Sequence, residues 1–270
     1  MTTFTQKSSH IIPVQRRSRI IELIRLKGFI SVQELSETVC VSLPTIRRDL
    51  ASIAKSGIIQ RSHGGATLKT NQGTTFEPDY QTAALIAQRE KAAIGRLAAS
   101  RLNNNQSVIF DSSSTVYEAA RQAVENNLML TAVTNDLRIA ELLASGSSIN
   151  LLVSGGSLRQ GSYSLFGEPG TSFLQNLHVD IAFIGIHAIT KTACCDTSLE
   201  VAYIKRYMAM AAEKVIVLAD ASKFGAVAFF NAFEFEKSFE IITDSPPSPA
   251  IRRSLEKKGV TITLAPVEKY

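Results

Sequence analysis

Cysteine is scarce in this 270-residue chain, and long apolar runs are missing. The three cysteines, Cys40, Cys194 and Cys195, are odd in number and two are adjacent. That pattern argues against a disulfide framework and suits a reducing cytosol. An isolated Cys-Cys pair is also a poor zinc signature. The longest apolar stretches, such as SVIF and VIVLA, are strand-sized, so no membrane-spanning helix is expected. The opening MTTFTQKSSH lacks an apolar core followed by a small-residue cleavage site, so no secretory leader is expected. No P-loop, metal-ligand set, nucleophile elbow or tandem repeat is found. The expectation is a cytoplasmic protein that holds neither metal nor cofactor. An apolar fraction of 45% in a chain of this length is ample for two packed domains.

Charge is unevenly spread. Residues 1–66 carry ten Lys/Arg against four Asp/Glu, a net of +6, and the remainder carries −1, so the overall +5 comes from the first quarter. A basic domain fused to a near-neutral one suggests a polyanion partner for the first and a small partner for the second.

The first quarter reads as a helix-turn-helix. Residues 1–13 are polar. Ile20, Leu23, Ile24 and Leu26 give helical spacing between Arg16 and Lys27, and Gly28 follows as a stop. Ser31 and Glu34 form an S-x-x-E capping box, after which Val32, Leu35 and Val39 make the buried stripe. Ser42 is placed to cap the next helix, and Pro44 is tolerated in its first turn. Ile46, Leu50 and Ile53 recur at i, i+4 and i+7 and should face the core. Thr45, Arg48, Ser52 and Lys55 then point outward, with Arg47 on the flank. The stretch from Ile58 to Ala66 suits a small β-wing turning near Gly64-Gly65, with Arg61 and His63 on it. Held by its apolar face, the second helix is free to enter a major groove, where arginine bonds guanine edges or phosphates and Thr45 and Ser52 reach either. Residues 67–80 read as a linker, and a helix from Ala83 to Leu102 should carry Ile86, Ile94, Leu97 and Ala98 on one face.

From there short apolar strands alternate with amphipathic helices. Strands are expected at 107–111, 130–134, 149–154, 180–185, 214–220, 240–243 and 260–264, and helices at 116–124, 137–144, 199–212 and 249–257. This pattern means βα units and a mainly parallel sheet covered on both faces. Ligands of such sheets sit at the carboxyl ends of the strands, near a switch point, and the polar residues cluster there. Asp111, Ser112, Ser113, Ser114 and Thr115 close one strand and open a helix whose N–H groups can cradle a phosphate. Thr134 and Asn135, Ser154 with Gly155 and Gly156, Gly185, and Asp220 with Lys223 close the others.

The string RR-x-R-I with ISVQELSETVCVSLPTIRRDLASIAKSGIIQRSHGGA resembles the signature of the DeoR family of bacterial transcription regulators. Glu90-Lys91, SVIFDSSST, AVTND, SGGSLRQ, DIAFIGI and LADASKFG continue the resemblance in the family's order. It implies a winged helix-turn-helix (1–66), a linker (67–80) and a Rossmann-like sensor domain (81–270) similar to ribose-5-phosphate isomerase that binds a phosphorylated sugar. It also implies a repressor of carbohydrate-metabolism genes. Two departures concern the sensor. Ser112–Ser114 fill a loop in which the family usually has glycine, and His187, Cys194 and Cys195 stand where a glycine-rich acidic run is common. Inert buried cysteines are the preferred reading there over a redox sensor.

Two other function classes compete with this reading. A sugar-phosphate isomerase or lyase would need a carboxylate base beside the C–H bond it breaks, with a second group polarising the carbonyl. Asp111, Asp196, Asp220 and Lys223 are available, but no pair is visibly placed for proton transfer. A nucleoid-coating protein would not need the elaborate second domain. A regulator reading a double-stranded operator needs two copies, since two-fold symmetry reads half-sites spaced by roughly 34 Å or a multiple. A homo-oligomer, at least a dimer joined through the C-terminal domains, is therefore expected.

Overall fold

The computed structural model describes residues 12–69 and 73–267, so most of the polar N-terminal stretch and part of the expected linker lie outside the described residues. The chain divides into two compact units. One comprises residues up to Gln72 together with Pro78–Gln88; the other comprises Gly73–Glu77 together with Arg89 onward.

The first unit begins with α1 (Pro13–Lys27), which buries Ile20, Ile21, Leu23 and Ile24 and stops at Gly28. Leu26, expected on that face, points outward and is 74% exposed; Ile21 takes its place in the core. Strand β1 (Phe29–Ser31) leads into α2 (Val32–Val39), which buries Leu35 and Val39, while Val32, expected on the same stripe, is only half-buried in the first turn. The Ser31 hydroxyl accepts the Glu34 N–H at 3.0 Å and so satisfies one orphan donor of the helix start. The return half of the expected capping box is not made. The Glu34 carboxylate pairs with Lys27 instead, and the Ser31 backbone pairs with Gly65 in the sheet.

Helix α3 (Leu43–Lys55) buries Ile46, Leu50 and Ile53 as the spacing requires. Ser42 precedes it, but its hydroxyl meets that of Thr45 at 2.9 Å and makes no side-chain cap. The wing is β2 (Ile59–Arg61) and β3 (Gly65–Leu68), and β1 completes a three-stranded antiparallel sheet in the order β1-β3-β2. A Cβ at Gly65 would lie 2.2 Å from the carbonyl oxygen of Ile30, so the close approach of β1 to β3 requires glycine there. The wing runs to Leu68, two residues into the expected linker. The helix expected from Ala83 to Leu102 is broken. Helix α4 (Tyr80–Leu85) ends at Ile86, Ala87 has φ +53°, and α5 (Gln88–Ala99) follows. The break coincides with hydrogen bonds from the Ser18 hydroxyl to the Leu85 carbonyl (2.9 Å) and to the Gln88 side chain (2.8 Å).

In the second unit β4 (Gln106–Phe110), α6 (Ser114–Glu125), β5 (Leu130–Thr134), α7 (Leu137–Ala144) and β6 (Ile149–Val153) form successive βα units. A small hairpin, β7 (Ser157–Leu158) with β8 (Leu165–Phe166), and α8 (Gly170–Gln175) lead to β9 (Val179–Gly185). Strands β10 (Ala188–Ile189) and β11 (Ala193–Asp196), helix α9 (Leu199–Ala211), β12 (Ala212–Leu218), β13 (Phe230–Glu234), β14 (Glu240–Thr243), α10 (Pro249–Lys257) and β15 (Thr261–Leu264) complete it. The main sheet is seven-stranded and parallel, in the order β15-β14-β12-β9-β4-β5-β6.

Alternate strand residues fill two cores, as a sheet covered on both faces demands. Val108, Phe110, Ile181 and Phe183 pack with α5, α6 and α7. Ile109, Ala182, Ile184 and Val217 pack with α9 and α10. The antiparallel sheet β10-β11-β13 is not expected from the sequence; its pieces are short, and their pairing is non-local. Strand order grows outward from β4 through β5 to β6 on one side, and from β9 through β12 to β15 on the other. The switch point is therefore the crevice between the carboxyl ends of β4 and β9.

Candidate DNA interface and effector site

In the first unit three carboxylates pair with cations of α1, away from the exposed face of α3. Asp49, 3% exposed, sits on the buried face of α3 and binds Arg16 at 2.6 Å and Arg17 at 3.3 Å, both on α1. Arg19 pairs with Glu22, and Lys27 with Glu34. Among the described residues no carboxylate pairs with Arg47, Arg48, Lys55 or Arg61, and all four are exposed, as are His63 and Ser42. Thr45 and Ser52 are half-buried on the same helix. Exposed cations without a carboxylate partner thus cluster on α3 and the wing, where a polyanion would neutralise them. Asp49 was missed by the sequence reading. Its signal was a carboxylate on the buried stripe beside Ile46, Leu50 and Ile53.

In the second unit the strand-end residues fall into two groups. Asp111 and Gly185 meet across the switch point: the Gly185 N–H donates to Asp111 Oδ2 at 3.0 Å. Ser113 caps α6, accepting the Thr115 N–H at 3.2 Å, and lies so close to Gly185 that a Cβ there would fall 2.2 Å from its side chain. Ser112 and Ser114 are half-buried and Thr115 is buried. Thr134 and Asn135 are fully buried and hold loops together. The Thr134 hydroxyl donates to the Phe110 carbonyl at 2.7 Å; Asn135 accepts the Ser112 N–H and donates to the Leu165 carbonyl, each at 3.2 Å. Their side chains already serve the framework. Ser154 is buried, and Gly155 and Gly156 turn the chain after β6 with φ of +78° and +111°. Asp220 is buried and accepts the Ser222 N–H at 3.0 Å, while Lys223 is half-buried beside it. Burial opposes ionisation of Asp220, but Lys223, Ser222 and Lys91 outweigh it and hold the carboxyl below its usual range.

Lys205 is the residue the sequence reading left out. It lies on the buried stripe of α9 with Val201, Ile204 and Met208, and it is 5% exposed. Its ammonium donates to Asp196 Oδ2 at 2.8 Å and to the Gly185 carbonyl at 2.8 Å, and it stands 3.4 Å from Asp111 Oδ2. Burial alone would discharge it, but the two carboxylates raise its pKa. Asp196, which burial would protonate, is held below the usual range by Lys205 at the shorter distance. Asp111 is raised instead, because burial and the neighbouring Asp196 outweigh the more distant ammonium. His187 is lowered by burial and by Lys223.

Cys194 and Cys195 are buried, and burial pushes both thiols up, Cys194 well up, so neither has the exposed thiolate character of a redox sensor. A groove of about 410 Å³ opens beside the carboxyl ends of β14 and β15, lined by Glu90, Asp244 and Leu264 among others. It contains none of the strand-end residues singled out from sequence. Among the described residues no helix is long and apolar enough to cross a membrane.

Comparison with known proteins places both units. Residues 16–72 match the DeoR-like helix-turn-helix domain, and residues 86–245 match the DeoR C-terminal sensor domain. A putative aga operon transcriptional repressor of Escherichia coli O157:H7 is 32% identical over 93% of this chain and 93% of its own length. The glycerol-3-phosphate regulon repressor of Escherichia coli K12 is 31% identical over 93% of this chain and 98% of its own. Ribose 5-phosphate isomerase A of Methanocaldococcus jannaschii overlays 50% of this chain and 53% of its own at 17% identity, with a TM-score of 0.37, which is too slight to bear on substrate. The chain belongs to the DeoR family of transcriptional regulators, with a DNA-binding helix-turn-helix ahead of a sensor domain.

Proposed function

We propose that this regulator is a repressor of carbohydrate-metabolism genes whose grip on a duplex operator is set by a phosphorylated sugar bound at the carboxyl ends of β4, β5, β6, β9 and β12. The observation that carries the DNA-binding half is the exposed, unneutralised set Arg47, Arg48, Lys55 and Arg61. Arg47 and Arg48 face the groove, and Arg61 and His63 touch backbone. The effector half is supported by the switch-point cluster of Asp111, Gly185 and Ser113–Thr115, with Lys223 as the half-buried cation at the same edge. Two copies engage paired half-sites. The effector shifts their placement only by its differential affinity for the two arrangements, about 1–3 kcal/mol of coupling.

An enzymatic reading is disfavoured. The relatives that match this chain along almost their whole length are described as repressors. The test is fluorescence anisotropy of the full chain on a duplex from its own upstream region, titrated with pentose and hexose phosphates while substrate conversion is followed. A change of DNA affinity without turnover is expected. Turnover, or indifference of DNA binding to every sugar phosphate tried, contradicts the proposal.

A further inference from the structure

One buried polar atom in the switch-point cluster lacks a partner. Oδ1 of Asp111 makes no hydrogen bond among the described residues, although the side chain is wholly removed from solvent. Its twin, Oδ2, is served by the Gly185 N–H and by Lys205. A carboxylate oxygen left bare inside a protein forfeits the hydrogen bonds that water supplied outside, so such an atom calls for something to complete it. This one lies at the reversal of strand order, where open α/β sheets take their ligands.

The surrounding charge says what fits. Asp111 and Asp196 share one buried cation, Lys205, so the ionised cluster holds one more negative than positive charge. A phosphate against Oδ1 would add a second anion with no counterion beside it. A hydroxyl would donate the missing hydrogen bond and bring no charge.

We propose that Asp111 is the residue that reads the sugar, accepting a hydroxyl of the effector on Oδ1, while the phosphate is held elsewhere on the strand-end edge. Lys205 and Asp196 act as positioning residues, fixing Oδ2 so that Oδ1 is the free acceptor. Specificity is then for polyol phosphates over bare phosphate esters. The inference rests on the effector reading above and goes beyond it by dividing the site between hydroxyl and phosphate.

The experiment is calorimetric titration of the full chain with inorganic phosphate, methyl phosphate, glycerol 3-phosphate, ribose 5-phosphate and glucose 6-phosphate, for the wild type and Asp111→Asn. Asparagine keeps the shape. With its own oxygen turned to Gly185 and Lys205, it presents an N–H donor where the acceptor was. In the wild type at least one hydroxyl-bearing phosphate should bind about tenfold or more tighter than methyl phosphate, the scale of one charge-assisted hydrogen bond. In Asp111→Asn that ratio should fall below about threefold, with methyl phosphate bound no more weakly than before.

A ratio that survives in Asp111→Asn overturns the proposal, because then a buried water completes the oxygen. Equal loss of methyl phosphate binding overturns it too, because Asp111 would then only support the fold. A wild type without the tenfold preference refutes it even if the variant fails to fold. In each of these cases the effector reading stands as long as some phosphate binds; if the wild type binds none of these ligands, both fall.

Discussion

Arg47, Arg48, Lys55 and Arg61 stand on the surface of the first unit with no carboxylate beside them among the described residues, whereas Lys205 of the second unit is buried between two. The first arrangement leaves charge available to an external polyanion. The second consumes it to hold loop ends in a fixed relation. Within the first unit the same division recurs on a smaller scale, since Arg16 and Arg17 are tied to the buried Asp49 while α3 presents its own arginines outward. Net charge therefore says little about function until the paired cations are set aside. Most of what remains exposed after that subtraction lies on one helix and its wing.

The sharpest way to break the comparison is to remove Lys205. Lys205→Met leaves Asp111 and Asp196 facing each other without a cation. Stranding a buried charge in this way should cost about 3–5 kcal/mol, read as a lower urea midpoint of the second unit. A loss no larger than that of an exposed lysine would mean the cluster is not the buried ionic knot described above.

Next in size is Arg48→Ala, which should weaken operator binding by about 1–3 kcal/mol if the guanidinium contacts a base, with folding stability unchanged because the side chain is exposed and unpaired. Unaltered DNA binding in both Arg47→Ala and Arg48→Ala would move the interface off α3.

A pH series sharpens the contrast inside the cluster. The Asp111 carboxyl is raised above 3.8, so the folded protein holds that proton more tightly than the unfolded chain does. Stability is then lost as pH rises through the window from 3.8 up to the folded value, and it is not regained above it. Asp111→Asn should therefore be more stable than wild type at neutral pH and lose that advantage below pH 3.8. Asp196 is shifted the other way. Its contribution is present above 3.8 and disappears as pH falls through its folded value, so Asp196→Asn should be the weaker protein at neutral pH and the less acid-sensitive one. Urea melts at neutral pH and below pH 3.8 check both signs.

The smallest effect belongs to the helix start. Ser31→Ala should cost about 1 kcal/mol of thermal stability, while Glu34→Gln should cost less, because its carboxylate meets Lys27 at the surface and not the Ser31 N–H.

Much of this fold was legible because it is local. The strands at 130–134 and 240–243 and the helices at 137–144 and 249–257 have the expected bounds, since apolar period and caps are encoded within a few residues of each other. What escaped is non-local. The break at Ile86-Ala87 coincides with hydrogen bonds from Ser18, far upstream, and no residue in LIAQRE announces it. The β10-β11-β13 sheet pairs residues 193–196 with 230–234 across the whole of α9 and β12.

The strand-end residues proposed for the effector were legible as a set of positions, because polar residues after apolar strands stand out. Their division of labour was not. The Thr134 and Asn135 side chains are hydrogen-bonded to neighbouring segments, and nothing in the sequence separates them from Asp111. Lys205 could have been noticed. A lysine at the buried position of VAYIKRYM, between Ile204 and Met208, must find a carboxylate, just as Asp49 beside Leu50 must find a cation.

The claim at the centre is that α3 and the wing hold duplex DNA through cations left unpaired by the rest of their unit. The salt dependence of operator binding tests it most directly. Removing one cation from a phosphate lowers the slope of log K against log salt by about 0.9. Arg47→Ala/Arg48→Ala should therefore show a slope shallower by up to about 1.8 if both guanidinium groups lie on phosphates, or a loss of preference for the operator over random duplex if they read bases. A double variant with the slope and the sequence preference of the wild type would contradict the account.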